Sequence, residues 1–226
     1  GTGSILLGNL TGLAQRDMKR LMSFQHIGQI GYIYLAIGMG IYFLPSNPAL
    51  GVAGLLAGVF HLANHAVYKP LLFFTAGSVR YRTGTRDLNR MGGLGKRMPV
   101  TATSSVFGSL AISGVPPFNG FFSKAIIVIA AVVQGQQTGG AVYYVFALIA
   151  VLFSLVTLAY FLKVQRKAFF GLLREEYAQV REVGIAMSVP MIALAVLCLA
   201  LGIAYPWLHE NLLHPAATVL ASLMVR

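Results

Sequence analysis

From Ala141 to Leu162 the chain carries no charged side chain, no proline and no glycine. A stretch of that length is enough to cross the hydrocarbon core of a bilayer, which takes about 20 apolar residues as a helix. Four further blocks are long and apolar enough to read as spans: Leu21–Phe43, Leu50–Ser78, Phe118–Gln134 and Val183–Tyr205. Val100–Ser113 is apolar but short for a full span. None of these blocks alternates with the period of a strand, so the expected fold class is all-α, a polytopic transmembrane helical bundle. Composition agrees: 57% of residues are hydrophobic and 10% charged, where soluble domains carry about 25% charged residues.

The chain has a net charge of +11, yet its basic residues do not form a nucleic-acid-binding stripe. They gather in short segments between apolar blocks, as beside anionic lipid headgroups, and no nucleic-acid partner is expected. Gln15–Arg20 and Arg80–Arg97 hold nine Lys and Arg, and Lys163–Glu182 holds five with three Glu. Two spans separate the first pair, which places both on one side. If Phe118–Gln134 and Ala141–Leu162 are both full spans, Lys163–Arg181 falls on the opposite side. The excess of positive charge then favours the first side as cytoplasmic. Lys163–Glu182 has the mixed pattern of a helix lying along the interface. Pro206, Trp207, His209 and His214 also suit an interface, and Pro215–Val225 suits the start of another helix. The first apolar stretch, Gly3–Leu13, is too short to span and lacks the basic flank of a signal peptide. It is expected to be the remnant of a preceding transmembrane helix, and the chain a fragment or one piece of a longer subunit.

Within Leu50–Ser78, His61, His65 and Lys69 stand at i, i+4 and i+8, so a helix places all three on one face. Ionisable groups at membrane depth are costly and mark ion paths, proton relays or ligand sites. Successive members are separated by a rise of about 6 Å, too far for direct proton transfer, so a water-linked relay is the natural reading. The rival is that each simply hydrogen-bonds a neighbouring helix. Pro70 frees the carbonyl of Ala66 near the same face. The His61–His65 spacing resembles that of zinc hydrolases, but Leu62 stands where the catalytic Glu is needed, and no metal site is expected.

Lys124 follows the break Gly114–Pro117 and Asn119-Gly120. Either it snorkels to the headgroups, or it faces a protein-lined cavity that such a break requires at membrane depth. His26 and Gln29 either extend the polar path or lie near the headgroups. Gly92–Lys96 is no phosphate-binding loop, since Arg90 and Arg97 occupy positions that need Gly and Ser or Thr. The lone Cys198 excludes an intrachain disulfide and a cysteine-ligated iron–sulfur cluster. Paired carboxylates, a Ser/His/Asp set and a dinucleotide fingerprint are all missing. The chain is therefore expected to bind no cofactor and to hold no redox or hydrolytic site of its own.

Four blocks then occur in order: RDMKRLMSFQHIGQIGYIYLAIG, HLANHAVYKPLLFFTAGS, TRDLNRMGGLGKRMP and ISGVPPFNGFFSK. Together they resemble the antiporter-like, proton-conducting membrane subunits of respiratory complex I, a family shared with membrane-bound group 4 hydrogenases and Mrp-type sodium/proton antiporters. The resemblance implies two inverted five-helix repeats, each with an interrupted helix. Residues 15–170 would form the second repeat, after the helix remnant at 1–14, with a connecting segment and C-terminal helix or helices over 171–226. It implies that the helix carrying His61, His65 and Lys69 supplies the central relay, and that the interrupted helix supplies Lys124 near one exit. His26 stands where a small hydroxyl residue is usual, and Pro70 where a small residue is usual. The Glu–Lys pair of the first repeat is absent.

The expected function is proton or sodium translocation by a multi-pass subunit in a prokaryotic cytoplasmic membrane. Its expected partners are other membrane subunits, a peripheral redox arm and the lipid bilayer. Enzymatic activity would belong to the larger oxidoreductase, or be absent in an antiporter. The alternatives are a stand-alone transporter of an organic substrate and a non-conducting structural subunit.

Overall fold

A computed structural model describes residues 1–224, which are helical almost throughout, with one isolated antiparallel bridge between Asp17 and Asp87. The helices are α1 (Thr2–Ala14), α2 (Met18–Phe43), α3 (Pro48–Thr83), α4 (Pro99–Ser113), α5 (Asn119–Thr138), α6 (Ala141–Val164), α7 (Ile185–Ile203), α8 (Tyr205–Leu208) and α9 (His214–Met224). Three segments are long and apolar enough to cross a membrane by length and composition: Pro48–Thr83, Ala141–Phe169 and Ile185–Ile203. Local chemistry explains the ends of α2 and α3. Asp17 caps α2 by accepting from the Arg20 amide at 2.9 Å. Asn47 caps α3 through the Leu50 amide at 3.2 Å, with Pro48 in the first turn, where its missing N–H costs nothing. Pro70 does not end α3.

The first correction concerns Pro70. It and Ala66 are exposed, whereas His61, His65 and Lys69 are buried. The freed Ala66 carbonyl therefore lies on the outer side of α3, one residue of rotation away from the polar face.

The second correction concerns topology. The basic segments 15–20, 80–97 and 163–182 meet at one end of the bundle. Met18 N–H donates to the Arg86 carbonyl and Leu88 N–H to that of Arg16, both at 2.9 Å. Lys163 donates to the carbonyls of Leu13 (2.6 Å) and Gln15 (3.2 Å). Lys167 reaches the Asn89 side chain, and Arg174 the Asn89 carbonyl at 2.6 Å. Lys163–Arg181 thus shares a side with the other two instead of opposing them. The reason is the break at residues 114–118: α4 and α5 together make one crossing, and α6 returns. At the start of α5 a Cβ on Gly120 would overlap the Ala111 carbonyl oxygen, so α5 begins tucked against the last turn of α4.

The third correction is that 170–183 forms no interfacial helix. After a π-helical turn at Gln165–Phe169, the chain runs extended with one short 3-10 turn at Glu175–Tyr177. Glu182 then caps α4. Its carboxylate accepts from the amides of Val100 (2.8 Å) and Thr101 (3.1 Å) and from the Thr101 hydroxyl (2.6 Å). Met98, the N-terminal residue flanking α4, has no acceptor to offer. Lastly, Pro206–His214 does not end the helical path. The helix carries on from α7 through α8, a π-helical turn and α9. Tyr205 stacks on Phe122 at 4.2 Å, and His209, Leu213, His214 and Ala217 line a groove with Ala53, Ala57 and Phe60 of α3. The expectation for Pro215–Val225 holds as helix through Met224; Val225 lies outside the described residues.

Candidate functional site: a buried polar axis

His61, His65 and Lys69 are 0%, 5% and 6% exposed, so the stripe on α3 faces into the bundle. Opposite it, α2 presents Gln25, Gln29 and Tyr32, all fully buried and spaced to share a face. Lys69 Nζ donates to the Met22 carbonyl and to Gln25 Oε1, the latter at 3.0 Å. Its ammonium also lies 4.9 Å from the centre of the Phe73 ring. One turn along, His65 Nε2 and His26 Nδ1 are 3.1 Å apart, a hydrogen bond in which one ring must donate and the other accept. His26 itself is exposed on α2, so the pair joins the buried axis to the outer face of the bundle.

A further turn along, His61 Nδ1 lies 2.8 Å from Ser123 Oγ of α5. The Tyr68 hydroxyl approaches His61 Nε2 at 3.5 Å, and the Tyr32 and His61 ring centres are 5.8 Å apart. Next to Ser123, Lys124 is 5% exposed. Its ammonium lies over the Tyr32 ring at 4.6 Å from the centre and has no hydrogen-bond acceptor within the protein. Lys124 therefore points into the bundle and does not snorkel. Tyr32 touches the next layer as well, donating to the Ala150 carbonyl at 2.8 Å with Ser154 Oγ at 3.2 Å.

The axis thus runs from Lys69, nearest the basic end, through His65 and His26, then His61 and Ser123, to Lys124. Eight residues of α3 separate Lys69 from His61, about 12 Å of rise. Gln25 Nε2, both amide atoms of Gln29, Asn119 Oδ1 and Lys124 Nζ are buried without a protein partner. Buried polar atoms of this kind take ordered water. Among the described residues the axis contains no carboxylate, and no cluster of three or more His, Cys, Asp or Glu could hold a metal ion.

The sequence reading missed several participants. Gln25, Tyr32, Ser123 and the pair Asn64–Asn119, bonded at 2.9 Å, all belong to the axis or brace it. Gln25 carried a usable signal, since it precedes Gln29 by one helical turn. Tyr32, Ser123 and Asn119 carried none, because aromatic, hydroxyl and amide side chains recur throughout apolar helices.

Among the described residues the chain is thus a helical membrane bundle built around buried lysines and histidines with no acidic partner. The chain is a member of the NADH:quinone oxidoreductase/Mrp antiporter transmembrane family, whose pattern it matches over residues 1–154. It is similar to Hydrogenase-4 component B of Escherichia coli, 38% identical over 96% of this chain and 33% of that protein. It is also similar to a Na+/H+ antiporter protein of Alkalihalophilus pseudofirmus, 35% identical over 96% of this chain and 28% of that protein. A chain of the Mrp complex from a Dietzia species superimposes with a TM-score of 0.80 and 26% identity, covering 99% of this chain and 46% of that one. The chain spans about a third of the length of these curated relatives.

Proposed function

We propose that this chain is a proton-translocating part of a membrane subunit in a larger ion-pumping complex. Lys69 is the central switchable carrier, His65 and His61 are its relays, and Lys124 is the carrier on the far side of the axis. The observation that carries this reading is two lysines buried on one polar axis, with hydrogen-bonding side chains between them and no carboxylate to neutralise either. The Lys69 ammonium is held by carbonyl and amide oxygens and that of Lys124 by the face of the Tyr32 ring, so either can give up its proton without breaking an ion pair. Protons suit the axis better than sodium. A hard cation needs several oxygen ligands, whereas this axis presents imidazoles and ammoniums.

Residues 15–170 then act as one repeat of the translocating unit, and 171–226 supply the connecting segment and the C-terminal helices. The basic end faces the cytoplasm, in keeping with the positive-inside rule. The complete subunit works beside other membrane subunits in a prokaryotic cytoplasmic membrane. Any electron transfer takes place in a peripheral arm, a reading supported by the single cysteine and the lack of a dinucleotide fingerprint in the sequence. Metal analysis and optical spectra of the isolated subunit check that last point: stoichiometric iron or flavin would contradict it.

The experiment for the relay is hydroxyl-radical footprinting of the intact complex, which labels side chains in contact with bound water. Modification of Tyr32, His61 and His65 despite their burial is the expected result. Protection of all three, as complete as that of Phe161 in the apolar core, would instead support a structural subunit.

A further inference from the structure

Along α4, Thr101, Ser105, Ser109 and Ser113 recur every fourth residue, and all four are buried. From the first to the last the helix rises about 18 Å. Small residues at this spacing let membrane helices pack closely, and packing alone would leave each hydroxyl bonded to the carbonyl one turn back, as Ser154 and Thr157 are on α6. The row on α4 has other partners. The Thr101 hydroxyl donates to the Glu182 carboxylate at 2.6 Å, at the basic end of the bundle, where Glu182 is half-buried. Gln165, in the turn after α6, reaches between the next two. Its amide donates to Ser105 Oγ at 2.9 Å and to Ser109 Oγ at 2.8 Å. An amide that donates to two hydroxyls leaves each of them its own proton to give. Two atoms of the row have no partner in the protein: Gln165 Oε1 and Ser113 Oγ, in residues 4% and 3% exposed. Each takes an ordered water. The row ends against Lys124, whose Cδ would lie 3.1 Å from a Cβ on Gly114 and whose ammonium also lacks an acceptor.

We infer that α4 carries a second proton route, which runs from Glu182 and Thr101 past Ser105, Gln165 and Ser109 to Ser113 and loads Lys124 from the basic end without passing through Lys69 or the histidines. Successive hydroxyls stand about 6 Å apart along α4, a span that one bridging water covers. Gln165 is a positioning residue: by donating to both serines it turns their protons toward the waters on either side. The route deepens the reading of Lys124 as a proton carrier and rests on it. Two ammoniums on one enclosed axis repel, so Lys69 still sets when Lys124 releases its proton, and pumping still depends on Lys69.

Two measurements on the intact membrane complex test the route and fail separately. The first follows hydrogen–deuterium exchange of the carboxyl group of Lys124→Glu after a switch to D2O, in infrared difference spectra against Lys124→Gln. It reads proton access to position 124 whether or not pumping uses that access. With the axis cut by His61→Leu, exchange should persist. Adding Ser109→Ala and Ser113→Ala should then slow it several-fold, as should Gln165→Leu. Ser104→Ala, buried on α4 but outside the row, should not. Loss of exchange on His61→Leu alone, exchange indifferent to the serine changes, or equal slowing by Ser104→Ala would each overturn the route. The second measurement is pumping by the Ser109→Ala, Ser113→Ala complex with Lys124 in place. The rate should fall several-fold and its solvent isotope effect should rise, because proton uptake becomes limiting, while the thermal midpoint stays at the wild-type value. A lowered midpoint with an unchanged isotope effect would show that the row only packs, and would overturn the route. Slowed exchange with wild-type pumping would leave the route standing and count against Lys124 as a carrier.

Discussion

An ammonium at the centre of a membrane helix costs roughly 3 kcal/mol on insertion scales, and this chain buries two. Lys69 offsets part of that cost with two hydrogen bonds and an aromatic face. Lys124 has only the Tyr32 ring. That difference separates their expected mutational behaviour. At position 124 a protonatable or charged group is needed, and little is built to hold one particular shape. Lys124→Glu and Lys124→Arg should therefore keep more translocation than Lys124→Leu, with Leu losing roughly a hundredfold, at the low end of what a lost proton-transfer group costs. Vesicle pumping by the three variants decides it, and wild-type pumping by Lys124→Leu would remove the residue from the axis. The two histidines of the hydrogen-bonded pair should differ too. His65 is buried in the axis, while His26 touches it from the exposed side through one bond. Pumping by His65→Ala should fall further than pumping by His26→Ala; the reverse order would mean that His26 is the main conduit.

At the scale of the elements, the axis depends on where the break between α4 and α5 is held. α7 packs against that break so tightly that a Cβ on Gly202 would overlap the Pro117 carbonyl oxygen. Backbone cannot yield as a flexible side chain does, so Gly202→Ala should destabilise the folded subunit by about 1–3 kcal/mol, as overpacking does. That exceeds the helix propensity gained, which is at most about 1 kcal/mol. Glu182 fixes the other end of α4 from more than 80 positions away in sequence. Glu182→Ala should cost about 0.5–2 kcal/mol, the range for a lost helix cap. Thermal unfolding of the assembled complex reads both, and unchanged midpoints would show that these contacts do not hold the break.

The helices themselves were legible in the sequence because apolar length and helix caps are local signals. Leu21–Phe43 and Leu50–Ser78 anticipate α2 and α3 to within a few residues. The stripe of His61, His65 and Lys69 was legible for the same reason, since helical spacing alone puts three residues on one face. The parity of the crossings was not. Whether Gly114–Pro117 turns the chain back or merely interrupts one crossing depends on how α5 docks on α4 and α7, which no window of sequence contains. Nor could spacing tell that the part of Lys163–Glu182 after Phe169 would run extended, because its mixed charge pattern also suits an interfacial helix.

Across the whole molecule the charge is sorted by position. Fourteen of the 17 Lys and Arg fall in the three segments at one end of the bundle. The others are Lys69, Lys124 and Arg226, and Arg226 lies outside the described residues. The fold thus separates positive charge that meets headgroups and water from the two positive charges it encloses. A cysteine introduced at Arg90 should react with a membrane-impermeant maleimide only from the cytoplasmic face. Labelling from the outside would reverse the orientation and, with it, which of Lys69 and Lys124 lies nearer the entry. The central claim, that ions move along the enclosed axis, is tested most directly at Lys69. Pumping by inverted vesicles containing the Lys69→Ala complex should be abolished, with the amount of assembled complex close to wild type. Wild-type pumping at equal assembly would show that the axis is structural and that ions cross elsewhere.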